Sequence, residues 1–276
     1  DYKGVTLQYK DVARKIAKFH IVLESAGIQP GDKIAVCGRN SAHWAVAFLA
    51  TVTYGAVIVP ILHEFKADNI HNIVNHSEAK LLFVGDQAWE NLNEDAMPLL
   101  KGIASLKDFS ALVSRCDQLT YAFEHRNEIY GRRYPKCFRK EHISYRKSDP
   151  EELVIINYTS GTTGYSKGVM LPARSMWSNI TYCYETRPLQ AGDTIVSMLP
   201  LGHVFGMTYD FLPFMILPLY TTLEKLDKSY LEAAADLGAS PVITFMKVTL
   251  PLSMPGLISG VTMVFLPSMT NYVILD

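Results

Sequence analysis

The sequence predicts an α/β fold over most of its 276 residues, followed by an all-α tail. Short apolar runs typical of buried strands recur at 33–37, 56–60, 80–84 and 153–156, and segments with helical spacing separate the first three. Strands that alternate with helices favour a parallel sheet covered on both faces. The run 256–275 carries no charged side chain and has the ~20-residue length of a bilayer span, which predicts a helical, membrane-type tail.

Composition narrows the classes of function. The formal net charge is −1, so no global field favours nucleic acid as a partner. The cysteines are scattered without a Cys-x-x-Cys pair or a Cys/His cluster, which argues against a zinc site or a disulfide framework and favours a reducing cytoplasm. They are Cys37, Cys116, Cys137 and Cys183. No signal-peptide pattern opens the chain, and we expect both ends, Asp1 and Asp276, to be cut rather than natural.

The first two helices follow from spacing and from their boundary residues. Apolar residues recur at helical spacing over 12–26, and Gly27 ends that helix. Either Asn40 or Ser41 can cap a second helix over 43–54.

The apolar stretch 43–62 approaches the length of a membrane span. Gly55 and Pro60 divide it, and charged residues flank it closely. We therefore interpret it as a core helix followed by a core strand.

Further helices are predicted over 67–76 and over 89–100. His71 and His76 in the first are interpreted as surface or packing residues, because no third ligand sits at metal spacing. The stretch 108–149 is basic and has little periodicity. Two interpretations of it stay open: a patch for an acidic partner or a CoA phosphate, and a solvated excursion on the surface, which we favour.

The run after the strand at 153–156 holds the most informative residues. Gly161 and Gly164 permit positive φ and a close approach of the backbone to a ligand, and successive N–H groups in such a loop form an anion-binding concavity. Lys167 adds a point charge suited to phosphate. Hydroxyl donors are supplied by Thr159, Ser160, Thr162 and Thr163. Together these residues predict a triphosphate cradle.

This loop is not a Walker A loop, because Lys167 is followed by Gly168 and not by Ser or Thr. By composition alone, a Ser/Thr/Gly-rich surface loop is an equal alternative. The order of the residues distinguishes a phosphate-binding loop from such a surface loop. Thr-Ser-Gly-Thr-Thr-Gly-x-x-Lys-Gly, from Thr159 to Gly168, resembles the phosphate loop of the adenylate-forming superfamily, which includes acyl-CoA synthetases, luciferases and nonribosomal adenylation domains.

The resemblance to acyl-CoA synthetases runs from about residue 6 to about residue 210. Segments 27–32 and 40–60 resemble the opening of the family, and Pro200-Leu-Gly-His-Val-Phe-Gly206 resembles its His motif beside the acyl pocket. Leu171-Pro-Ala-Arg174 departs from the family pattern, where many members carry Thr-His. The elements predicted here are a strand at 169–171, a helix at 174–184, a turn at 190–193 and a strand at 194–199.

The resemblance implies a mechanism as well as a fold. A carboxylate attacks the α-phosphate of ATP in line, acyl-AMP and pyrophosphate form, and the CoA thiol then takes the acyl group. In this scheme residues 159–164 hold the β- and γ-phosphates, and Lys167 neutralises them. Lys167 and Thr163 are the catalytic residues, and Thr163 is also a ligand of Mg²⁺. His203 lines the acyl or carboxylate site. The implied substrates are a fatty acid, ATP and CoA.

A different resemblance begins after residue 210. Leu231-Glu-Ala-Ala-Ala-Asp-Leu-Gly238 followed by Val248-Thr-Leu-Pro251 is similar to the coupling loop of bacterial ABC-importer permeases of the spermidine/putrescine type. The resemblance implies that a coupling helix at 231–238 docks on an ATPase subunit. The residues that carry this contact are Glu232, Ala233, Gly238, Leu250 and Pro251. Pro267 would kink the span at 256–275, which membranes tolerate.

We therefore expect two parts: an acyl-CoA synthetase-like part at 1–210 and a permease-like part at 211–276, joined near 209–214. The first is expected in the cytoplasm, and the second suggests association with the inner membrane. The family's adenine-binding segment, its Tyr-Gly-x-Thr-Glu metal motif and its catalytic lysine are missing after residue 210, so we expect a truncated and inactive ligase. The alternatives are a permease component for polyamines and a non-functional chimera of the two.

Overall fold

In the computed structural model of the chain, the described residues are 6–135, 138, 142–159, 167–186, 197, 199–204 and 206–207. The strands are β1 (Lys33–Cys37), β2 (Val57–Ile61), β3 (Leu81–Val84), β4 (Gly102–Ser105), β5 (Ala111–Ser114), β6 (Leu153–Thr159) and β7 (Lys167–Pro172). The helices are α1 (Tyr9–Ser25), α2 (Ala42–Tyr54), α3 (Ala67–His76), α4 (Asp86–Trp89), α5 (Asp117–Arg133) and α6 (Ala173–Thr186). From Trp177 onward, α6 belongs to a second compact unit of the chain.

The strands form one sheet in the order β5-β4-β3-β1-β2-β6-β7. The five inner strands run parallel, while β5 and β7 pair antiparallel at the two edges. The predicted α/β fold with a parallel sheet is therefore confirmed for the described residues. β2 lies inside the sheet, and all five of its residues are buried and apolar, as expected for a parallel strand with both faces covered.

The two faces of the sheet are covered by different helices. On one face, Ile70, Ile73 and Val74 of α3 pack with Leu82 and other strand residues. On the opposite face, α1 packs against α2 and α5. There the ring of Phe19 in α1 lies 4.4 Å from the ring of Phe83 in β3, centroid to centroid. Side chains alternate between the two faces along each strand, so Leu82 and Phe83 belong to different cores.

The carboxyl ends of β1 and β3, where open α/β sheets often bind ligands, are tightly closed. The Gly85 amide donates to the Cys37 carbonyl at 2.9 Å. A Cβ on Gly38 would lie 2.5 Å from Leu106 Cδ1. This contact leaves no room for a ligand between the two strand ends, so a site at the edge of the sheet has to lie elsewhere.

Most of the predicted helices and strands are confirmed, including α2 and β2 within the stretch 43–62. Among the described residues, none of the helices combines the length and the apolar character needed to span a bilayer. The predicted span at 256–275 and the strand at 194–199 fall on residues that are not described, apart from Ser197 and Leu199.

One prediction is wrong, and one segment contains elements that the sequence did not predict. The segment 89–100 is not a helix: α4 ends at Trp89, and a 3-10 turn follows at Glu94–Ala96, where the Asn93 side chain accepts from the Asp95 amide. Pro98 then disfavours helical backbone at the residue before it. The segment 108–149, interpreted as a solvated excursion, is largely exposed but contains β5 and the 17-residue helix α5, which its weak periodicity did not predict. Only two residues of α5, Leu119 and Ala122, are buried, so its apolar pattern is weak.

Gly55 offers a test of this fold. It ends α2 in the left-handed region at φ 91°, where an L-residue costs roughly 1–2 kcal/mol. Gly131 lies within α5 with no atom near its missing Cβ, and alanine in a helix is favoured over glycine by roughly 1 kcal/mol. We expect Gly55→Ala to lower the urea midpoint of unfolding and Gly131→Ala to raise it. Shifts of the same sign in both variants would contradict these backbone assignments.

Candidate functional site

The candidate phosphate loop starts at the carboxyl edge of the sheet, beside the end of β2. β2 and β6 pair in parallel with Ile58 opposite Ile155. Continuing that register places Ile61, the last residue of β2, beside Tyr158. Thr159 therefore lies just beyond the end of β2, at the edge where the residues that follow both strands come together.

The two ends of the loop are held opposite each other by antiparallel pairing. β6 and β7 pair from Leu153 opposite Pro172 to Thr159 opposite Lys167. Opposed Cα atoms in such a ladder are about 5 Å apart. Both Thr159 and Lys167 are exposed. The predicted site residues Ser160, Gly161, Thr162, Thr163 and Gly164 lie outside the described residues.

Tyr158 ties the base of this hairpin to α3. Its ring is buried, and its hydroxyl shares a 2.6 Å hydrogen bond with Nδ1 of His76. Burial raises the pKa of Tyr158, so the hydroxyl stays neutral. Gly168 lies opposite Tyr158 on β7, and a Cβ there would approach Tyr158 Cζ at 3.2 Å and Ile156 Cγ2 at 3.0 Å. The motif glycine thus makes room for the tyrosine ring. His76 is exposed on α3 and meets that ring edge to face, which agrees with the predicted surface or packing role.

Asn40 anchors the candidate His motif to the end of β1. Ser41, and not Asn40, caps α2, since its hydroxyl accepts from the Trp44 amide at 3.0 Å. Asn40 is then available for a second segment. Its Nδ2 donates to the Leu199 carbonyl at 2.7 Å, and its Oδ1 accepts from the Leu201 amide at 2.8 Å. One amide side chain therefore satisfies two backbone groups of a segment that is remote in sequence.

Two glycines fix the turn around His203. A Cβ on Gly202 would lie 2.9 Å from the Ile61 carbonyl oxygen, and one on Gly206 would overlap the Pro200 carbonyl oxygen. The His203 amide donates to Pro200 at 3.0 Å. The His203 side chain is exposed. The turn packs on the end of β2, so His203 lies on the same edge of the sheet as Thr159 and Lys167.

Asn157, at the start of the segment that resembles the phosphate loop, is a polar residue for whose side chain the sequence indicates no role. It is 4% exposed, within the otherwise apolar β6, and it lies two residues before Thr159, so both side chains point to the same face. Among the described residues its Oδ1 has no hydrogen-bond partner. A buried acceptor without a donor costs about 1–3 kcal/mol, so a donor from the loop or from a ligand is expected there. An amide inside an apolar strand was the available signal.

The remaining predicted sites can be placed only in part. In the described part of the chain, no three His, Cys, Asp or Glu side chains are grouped so that they could hold a metal ion. The predicted coupling-loop residues from Glu232 to Pro251 lie outside the described residues.

Comparison with known proteins finds two kinds of relative. The model of the AMP-binding enzyme family matches residues 1–228. Long chain acyl-CoA synthetase 3 of Arabidopsis thaliana is 28% identical over 209 residues, covering 74% of this chain and 31% of that protein. The ATP-bound structure of MatB from Rhodopseudomonas palustris superposes with a TM-score of 0.60 at 22% identity, covering 77% of this chain and 39% of that one.

The second kind of relative is a permease. Spermidine/putrescine transport system permease protein PotB of Escherichia coli (strain K12) is 47% identical over 81 residues, covering 29% of this chain and 30% of that protein. The chain thus spans about a third of the length of these curated relatives. The family match ends at residue 228, which is past the predicted boundary at residue 210.

Asn40 provides the test of the described site. Removing its amide leaves the Leu199 carbonyl and the Leu201 amide without their partner, at a cost of about 1–3 kcal/mol. We expect Asn40→Ala to speed amide hydrogen exchange at 199–207 at least tenfold. Asn69→Ala, at an exposed position of α3, is the control and should leave that exchange unchanged. Equal exchange in the two variants would show that Asn40 does not hold the segment.

Proposed function

The chain belongs to the AMP-binding enzyme family, and we propose that it binds ATP at the hairpin between β6 and β7 as a member of the acyl-CoA synthetase branch. One observation carries this proposal. Antiparallel pairing sets Thr159 and Lys167 opposite each other, both exposed, at the edge of the sheet where Asn40 anchors the His203 turn. A hydroxyl and a cation at the two ends of a glycine-rich connection suit a polyphosphate.

Each predicted residue has a proposed role. Residues 159–164 donate backbone and hydroxyl hydrogen bonds to the β- and γ-phosphates, and Lys167 neutralises their charge. Mg²⁺ fits this donor set, because it commonly binds substrate phosphates and water with one or two protein oxygens; we propose the Thr163 hydroxyl as the protein ligand. Bound there, the ion would stabilise charge on the phosphate oxygens. The ATP-bound state of the structurally similar MatB supports the choice of nucleotide.

The proposed chemistry is activation of a carboxylate. Its oxygen attacks the α-phosphorus of ATP, the bond from phosphorus to the bridging oxygen breaks, and pyrophosphate leaves from an acyl-adenylate. CoA thiol then displaces AMP. The protein contributes positioning and electrostatic stabilisation. The exposed His203 side chain, beside the end of β2, is the proposed wall of the carboxylate site. Similarity to a long chain acyl-CoA synthetase supports a fatty acid as the carboxylate.

Binding of ATP tests the loop. We expect Lys167→Met to weaken Mg-ATP binding at least tenfold in isothermal titration calorimetry, because one cation beside the phosphates is lost. Lys147→Met is the matched control: Lys147 is exposed and precedes the amino end of β6, at the opposite end of the strand from the loop. Equal affinities for ATP in the two variants would contradict the assignment of Lys167.

Turnover separates binding from catalysis. Residues 211–276 carry the permease pattern in place of the family's adenine-binding and metal motifs. We therefore propose that the 276-residue chain binds ATP without completing adenylation, and that ATP–pyrophosphate exchange with a fatty acid is absent. ATP–pyrophosphate exchange at rates typical of an active ligase would show that the family's adenine-binding and metal motifs are dispensable.

The 47% identity to a permease over 81 residues favours a second candidate function for the tail. We propose that 231–238 is a coupling helix that contacts an ATPase subunit through the residue set from Glu232 to Pro251. We propose further that 256–275 spans the inner membrane and that 1–210 stays in the cytoplasm. One coupling loop and one span do not make a translocation pathway, so transport by this chain alone is not proposed. A chimera without function is the remaining alternative.

Membrane association tests the tail. In a membrane flotation assay, we expect the full chain to rise with vesicles of inner-membrane lipid and a chain ending at Asp210 to stay at the bottom, because an apolar run of this length is stable in hydrocarbon. Identical distributions of the two chains would count against a membrane role for the tail.

A further inference from the structure

A cavity of about 380 Å³ lies between α1 and α5, on the face of the sheet that α3 does not cover. Its floor is aromatic: Phe19, Phe83 and Phe109 are all buried, and Phe123 completes the lining. Phe19 meets Phe109 edge to face, with ring centroids 5.5 Å apart. The volume falls within the range of small-molecule sites, roughly 300–1,000 Å³.

The walls of this cavity are cationic although the whole chain has a net charge of −1. Arg14, Lys15, Lys18 and Arg126 line it, and Asp11 is the one acidic residue among the described lining residues. Asp11 pairs with Arg14 at 3.4 Å. Two of the other cations contact neutral acceptors: Lys18 donates to the Asn127 amide oxygen at 2.7 Å, and Arg126 donates to the Phe109 carbonyl at 2.8 Å.

The cations that line the cavity disfavour one another's charged forms. Lys15 Nζ lies 5.9 Å from the centre of the Phe109 ring. Burial, and then the charge of Arg126, lower the pKa of Lys15, while Asp11 acts in the opposite direction. Burial, followed by Arg126, Lys15 and Arg14, lowers the pKa of Lys18. Charges placed where they repel each other and lose water are typical of binding sites, where stability is given up for function.

We propose that this cavity is a binding site for an aromatic phosphate, a ligand with a planar ring and a phosphate group. The ring would pack on the phenylalanine floor, and the phosphate would meet Lys15 and Lys18, with Arg126 offering its remaining donors. A cluster of this charge suits a phosphate dianion better than a single carboxylate, and an aromatic floor whose rings already meet edge to face suits a further ring better than a flexible chain.

The proposed site is separate from the candidate ATP site and does not depend on it. Phe83 lies on β3, while the loop leaves β6, three strands away in the sheet. At a strand spacing of about 4.8 Å, that separation is roughly 14 Å. A variant in either site should therefore leave binding at the other intact.

The test uses the full chain and 1-naphthyl phosphate as the probe. 1-Naphthol, which keeps only the ring, and inorganic phosphate, which keeps only the phosphate, are the comparison ligands. We expect the probe to bind at least tenfold more tightly than either comparison ligand. Lys15→Met and Lys18→Met should each weaken binding of the probe at least tenfold. Lys10→Met, at an exposed position of α1, and Lys167→Met should not.

Thermal melting of the same variants distinguishes a binding role from a structural one. Lys15→Met should melt at a higher temperature than the unmodified chain while binding the probe more weakly, because the repulsion is relieved.

Displacement of the probe by AMP would support a nucleotide as the natural ligand, and displacement by pyridoxal 5′-phosphate would support another aromatic phosphate. The proposal is overturned if neither competes, or if Lys15→Met and Lys10→Met bind the probe equally.

Discussion

Parallel pairing between β2 and β6 is the constraint on which the candidate ATP site depends. The chain leaves β2 at Ile61 and returns at Leu153, and only the match between the two strands brings the hairpin loop to the edge already occupied by Asn40. β7 then pairs back on β6 and returns Lys167 to Thr159. The carboxyl ends of β1 and β3 are filled by the contact between Gly38 and Leu106. Exposed polar side chains lie instead at the carboxyl ends of β2 and β6.

The glycines at this edge of the sheet allow close packing against neighbouring atoms. Gly168 belongs to the motif that resembles a phosphate loop, yet its described contact is with the ring of Tyr158. Gly202 and Gly206 belong to the His motif, and each is pressed against a backbone carbonyl. Glycine at these positions is required for close approach. The described glycines of the two motifs therefore position the hairpin and the turn, and Lys167, Thr159 and His203 are exposed beside them.

The sequence was informative where burial makes the pattern strong. β1, β2 and β3 are buried on both faces and read as continuous apolar runs, so the parallel core and its helices could be predicted. α5 could not, because a helix that buries only Leu119 and Ala122 resembles a solvated segment. Asn40 was read as a possible cap, since the acceptor that it meets lies far away in sequence. Asn157 follows an apolar run, and the sequence does not show that its side chain is buried or that its Oδ1 lacks a partner among the described residues.

The late return of β6 has a consequence for synthesis. Until residues 153–159 leave the ribosome, β2 is the open border of the growing sheet, and its N–H and C=O groups on that side have no partner. An apolar strand with a free border is a template on which a second nascent chain can pair. The stretch between the two strands therefore sets how long the young polypeptide stays vulnerable to aggregation, and a pause in translation before Leu153 would lengthen that interval.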